Sequence, residues 1–137
     1  MMKEQSITLP LRLWQEMKAQ VSAGAPLETC GLLAGHNDQA EAVYPISNTL
    51  KSPVKFRMDP YEQLQAFEDI EKSGLELLAI YHSHPTGPEI PSPTDIEESR
   101  YNVACLIWSA RNTEWQVRAF WLDKTFAAEM PLYISEM

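Results

Sequence analysis

The sequence predicts an α+β fold: a curved, mostly antiparallel β-sheet flanked by helices. Three observations carry this. Helix-spaced and strand-alternating apolar segments are mixed, without the strict alternation of a doubly wound sheet. The chain has 137 residues, the size of one ordinary domain, and reads as a single domain over 1–137. Hydrophobic residues make up 45% and charged residues 22%, so a packed core is expected rather than wholesale disorder.

The elements follow in order. Leu9 and Pro10 open a segment with Leu13, Trp14, Met17 and Val21 at helical spacing; Pro10 suits a first turn, and Gly24 and Pro26 stop the helix. Thr29 to Gly35 is short, apolar and closed by glycine, a buried strand. Gln39 to Ile46 alternates loosely, and Val54 to Met58 alternates more clearly, giving a second and a third strand. Asp59, Pro60 and Glu62 form a helix start with capping-box spacing. Tyr61, Leu64, Phe67 and Ile70 follow at threes, and Gly74 ends that helix. Leu75 to Tyr81 is an apolar strand running into His82. Four prolines (Pro85, Pro88, Pro91, Pro93) and Gly87 make residues 85–93 a rigid loop, and Ser92 to Tyr101 forms a short helix. Val103 to Ser109 is a buried strand, Arg111 and Asn112 turn the chain, Trp115 to Trp121 alternates, and a last strand lies within 125–134.

Charge and composition exclude several classes of function. Eleven Lys+Arg against nineteen Asp+Glu leave a net charge of −8, unfavourable for a phosphate backbone or an anionic membrane surface. The longest apolar run, Val103 to Trp108, is six residues, whereas a spanning helix needs roughly 20. The first residues show no basic start followed by an apolar stretch, so a cytoplasmic protein is expected. Two cysteines, Cys30 and Cys105, build neither a disulfide framework nor a Cys-x-x-Cys site and read as small core residues. Of only three histidines, His82 and His84 are two residues apart, while His36 sits in a probable surface turn.

That pair carries the chemistry. On a strand, residues i and i+2 share a face about 6.6–6.8 Å apart, so two imidazoles there can converge on one ion. A hydrolytic zinc site wants a third protein ligand and an open position for water. Asp95 is the nearest downstream carboxylate with a rigid path back, and Glu89 is a rival within the same loop. Taken singly, each part has an ordinary reading. A His-x-His pair is a common exposed polar pair, and Ser92 with Asp95 is a plain helix N-cap box. The case rests on the parts occurring together in order. A base is also needed; no His-Glu-x-x-His is present, and Glu28, just before an apolar strand, is a candidate.

Glu28, then after a long gap His82-Ser83-His84, seven residues, and Ser92-x-x-Asp95 resembles the metal-binding motif of the JAMM/MPN+ (Mov34/MPN/PAD-1) metalloproteases. The strand beginning at Glu28 and the order of elements resemble that family over essentially the whole chain. The resemblance implies an MPN/JAB fold with a cytidine-deaminase-like core, and a zinc metallopeptidase with Zn²⁺ held by His82, His84 and Asp95. It further implies water in the fourth position, Glu28 as general base, and Ser92 steadying the oxyanion; Ser83 points away and receives no catalytic role. The implied substrate is an amide or isopeptide bond after the Gly-Gly tail of a ubiquitin-like or sulfur-carrier protein. Two alternatives stand beside it. A RadC-like DNA-associated protein has a similar His-x-His-Pro loop, but the charge of −8 opposes it. A metal-free interaction module would carry an accidental His pair.

Overall fold

The computed structural model describes residues 5–99 and 102–136. Strand β1 (Ile7–Pro10) leads into helix α1 (Leu11–Gly24). A hairpin follows, β2 (Cys30–His36) and β3 (Gln39–Ile46), then α2 (Pro60–Lys72) and β4 (Glu76–His84). A short α3 (Pro93–Glu97) precedes β5 (Ala104–Arg111), β6 (Glu114–Asp123), β7 (Phe126–Met130) and β8 (Leu132–Ser135).

All eight strands join one sheet in the order β7-β6-β5-β4-β2-β3-β1-β8. The pairs β2–β3, β2–β4, β5–β6 and β6–β7 are antiparallel; β4–β5, β1–β3 and β1–β8 are parallel. The edge strands β7 and β8 are consecutive in the chain, so the sheet curls until it is nearly closed. This is the expected α+β architecture with a curved, mostly antiparallel sheet.

Period-two alternation gives the sheet two faces. One carries Leu33, Tyr81, Leu106 and Trp108 against Leu13, Met17 and Val21 of α1. Truncating one such buried leucine to alanine costs about 2–5 kcal/mol. The other carries Cys30 and Leu32 against Ala66 and Ile70 of α2. In register across the central strands stand Cys30, His82 and Ile107, so His82 and His84 belong to this second face, at the carboxyl end of β4.

The structure amends several readings. β1 was not expected: four residues are too few to show a period, and its place is set by parallel pairing to β8 and β3. Pro10 is the N-cap of α1 rather than a first-turn residue. Residues 54–58 are not a strand; only Met58 bridges, to Asn48, and Val54 is 72% exposed. Helix α2 starts as predicted, with Asp59 accepting from the Glu62 amide, but Glu62 accepts from the Ser47 amide instead of completing a box. Its buried face is Ala66 and Ile70, so Tyr61 and Leu64 point outward, 81% and 56% exposed. β2 begins at Cys30 and runs on to His36, and β4 runs through His84. The helix after Ser92 ends at Glu97; Tyr101, its expected end, lies outside the described residues. The turn after β5 is Asn112 and Thr113, both at positive φ, and Pro131 divides the last expected strand into β7 and β8.

Candidate metal centre

β4 ends as a buried strand, with His82 and His84 on one face and Ser83 on the other. The chain then turns, and the Gly87 amide donates to the His84 carbonyl at 2.9 Å. The His84 Nδ1–H donates to the Pro88 carbonyl at 2.9 Å, so that in the neutral ring Nε2 is the free lone pair, facing His82 and Asp95. Glu89 faces the other way and pairs with Arg118 at 3.3 Å and Arg111 at 3.7 Å, so it is spent on arginines rather than on the histidines. At the start of α3 both halves of a capping box form. The Asp95 amide donates to Ser92 Oγ at 3.0 Å, and the Ser92 amide donates to Asp95 Oδ2 at 2.7 Å. Cap and site are one device: the box turns Asp95 Oδ2 back toward β4.

The three side chains converge. His82 Nε2 and His84 Nε2 are 3.1 Å apart, and Asp95 Oδ2 is 3.2 Å from each. Donor atoms of a tetrahedral ion with bonds of about 2.0–2.1 Å are separated by about 3.3 Å. The triangle therefore matches a metal ion's footprint, and two imidazoles with one carboxylate are a donor set suited to one. Glu28, His82 and His84 also lie within 4.8 Å of one another, but Glu28 Oε2 stands 4.0 Å from His84 Nε2. The Asp95 set is the tighter, and Glu28 sits beside it.

Glu28 is 5% exposed and lies between α1 and β2, in no regular element. Its amide donates to the Ser52 carbonyl at 2.9 Å, and its carbonyl accepts from Asn48 Nδ2 at 3.0 Å. The next residue, Thr29, donates its amide to Ser83 Oγ at 2.8 Å, so the residue between the two histidines anchors the Glu28 segment from the opposite face. Phe56 stacks on the His82 ring at 4.5 Å and 26°. Sequence reasoning missed Phe56, which it placed in a strand, and Asn48, which it did not single out.

Electrostatics follow from burial and from Asp95. Burial pushes Glu28 up to about 7; the nearby His84 opposes this and Asp95 adds to it. Burial holds His82 below the usual imidazole range. His84 is raised: burial pulls it down, but the Asp95 contact, the Pro88 carbonyl and the two carboxylate charges together prevail. Burial would raise Asp95, yet the two histidines and the Ser92 amide hold it well below the usual carboxylate range. A groove of about 490 Å³, lined in part by Lys55, Thr94, Glu97 and Lys124, runs along α3. Both cysteines are buried and free. Among the described residues no helix is long and apolar enough to cross a membrane.

Fold and site together define a JAB-type domain with a metal-compatible centre. The chain belongs to the family described as prokaryotic homologs of the JAB domain, which matches residues 10–123. It is 43% identical over 117 residues to a probable TtuB-protein conjugate cleaving protease of Thermus thermophilus, covering 85% of this chain and 76% of that one. It is 39% identical over 106 residues to a desampylase of Pyrococcus furiosus, covering 77% and 74%. The solution structure of a Desulfitobacterium hafniense protein superposes with a TM-score of 0.85 at 36% identity, covering 96% of this chain and 94% of that one.

Proposed function

We propose that residues 1–137 act as one zinc metallopeptidase domain, hydrolysing amide or isopeptide bonds after the Gly-Gly tail of a ubiquitin-like or sulfur-carrier protein. The observation that carries this is the triangle of donor atoms at 3.1–3.2 Å with a buried carboxylate beside it. The names of the Thermus and Pyrococcus relatives support the substrate class.

His82 Nε2, His84 Nε2 and Asp95 Oδ2 would hold the ion. Zinc, when bound, supplies Lewis acidity that polarises a carbonyl and makes water a nucleophile at neutral pH. Glu28 takes the proton of the attacking water on its carboxylate and returns it to the leaving nitrogen. Its burial-raised affinity, near neutrality, suits both transfers. Ser92 Oγ accepts from the Asp95 amide and keeps its own O–H to donate to the developing oxyanion. The Pro88 carbonyl fixes the His84 tautomer, and Phe56 shields the His82 face from water.

The test is mass spectrometry of a Gly-Gly-linked carrier conjugate incubated with the zinc-loaded protein. Cleavage directly after the second glycine, abolished by chelator, is expected. An intact conjugate would refute the assignment.

A further inference from the structure

The side chain of Asn48 makes four hydrogen bonds at 2.9–3.0 Å, the full complement of a primary amide. Its Oδ1 accepts from the Leu50 and Arg57 amides, and its Nδ2 donates to the Lys55 carbonyl; these three close the 48–57 loop on itself. The fourth bond, Nδ2 to the Glu28 carbonyl, ties the closed loop to the segment carrying the carboxylate. The loop answers with the Ser52 carbonyl, which accepts from the Glu28 amide, and it presents Phe56 to the His82 ring.

Glu28 stands outside any helix or strand; β4 reaches only its neighbour, the Ser83 amide donating to the Thr29 carbonyl at 2.9 Å. Ser83 holds Thr29, but both main-chain groups of Glu28 itself are held by this loop. Met58 bridges Asn48 just beyond the loop, so the loop's two ends are also joined.

We propose that Asn48 is a positioning residue: it locks the 48–57 loop in the shape that sets Glu28 beside the His82, His84 and Asp95 cluster. The inference rests on the reading of Glu28 as the proton carrier. Asn48 touches no reacting atom itself. Its loss would let the carboxylate drift, and a misplacement on the order of 1 Å lowers turnover by about 10²-fold.

The test compares wild-type protein with Asn48→Ala and Asn48→Asp; aspartate keeps both acceptor bonds but loses both donors. Three measurements are made: amide exchange at Glu28 by NMR, zinc affinity by chelator competition, and steady-state kinetics (kcat and KM) on a Gly-Gly-linked conjugate. In both variants Glu28 exchange should accelerate about tenfold or more, while the interior amides of β4 keep their protection. Turnover should fall about 10- to 100-fold with zinc affinity within about threefold of wild type. Glu28 exchange unchanged in both variants overturns the proposal. So does accelerated exchange with wild-type kcat where Glu28→Gln is inactive. If Glu28→Gln turns over normally, the proton-carrier reading fails instead, and the exchange result still decides whether Asn48 holds the segment.

Discussion

Replacing Ser92 by alanine separates the cap its hydroxyl makes on α3 from the oxyanion contact proposed for it. As the N-cap of α3, Ser92 Oγ takes the Asp95 amide at 3.0 Å. Losing a serine cap costs about 1 kcal/mol, which for a domain of this size lowers Tm by roughly 3–5 °C. The reciprocal bond, from the Ser92 main-chain amide to Asp95 Oδ2 at 2.7 Å, survives the substitution. Asp95 therefore stays aimed at His82 and His84, and zinc affinity should change by less than about tenfold. The proposed oxyanion donor, in contrast, is lost outright, which should cost about 10²–10³ in kcat. Ser92→Gly is the matched control: glycine costs the cap only a few tenths of a kcal/mol, yet it removes the same donor. The assay pairs thermal melts with steady-state cleavage of a Gly-Gly-linked conjugate. Ser92→Ala and Ser92→Gly should share the kcat loss and differ in Tm. A Ser92→Ala protein with wild-type kcat and a lowered Tm would show that Ser92 is a cap and nothing more.

Glu28→Gln should retain zinc while kcat drops by about 10²–10⁴, and normal turnover in a pre-steady-state assay would remove Glu28 as the base. Zinc affinity should rise with pH through the neutral range. His84 binds its proton more tightly than a free imidazole does, and that proton must leave before Nε2 can take the metal. Below the His84 titration the affinity should fall by about tenfold per pH unit, and chelator competition that is flat from pH 5.5 to 8.5 contradicts this. Gly31→Ala tests the packing behind the site. A Cβ there would overlap the Tyr81 ring and hydroxyl, which Gly31 allows to lie across β2 and donate to Gln20. Denaturant melts should report a loss of about 1–3 kcal/mol, and an unchanged midpoint would mean that the strands adjust freely.

What the sequence disclosed followed the range of the forces involved. The pair His82 and His84 was legible because strand period alone places i and i+2 on one face. Ser92 and Asp95 were legible because a capping box is local, with both partners three residues apart. The helix start at Asp59 and the strand Gln39–Ile46 were legible for the same reason. Asn48 was not, because its partner at Glu28 lies 20 residues away and nothing local marks a side chain that replaces a ladder. The alternation of Phe56 and Met58 was a true sign of burial, yet it misled about backbone state. Those residues are turned inward by a loop organised around one amide, while Val54 in the same phase faces water. β1 escaped because its parallel partner β8 comes from the far end of the chain. The outward turn of Tyr61 and Leu64 was invisible because a threes pattern fits two neighbouring helix faces, and only packing against β4 and β3 decides between them.

The most direct test is the zinc content of the purified protein, by elemental analysis, set against that of the His82→Ala/His84→Ala double variant. One equivalent of zinc in the wild-type protein and none in the folded variant is the expected result. A wild-type protein that carries no zinc and takes none up, or a double variant that binds it equally well, would contradict a metal centre built on His82, His84 and Asp95.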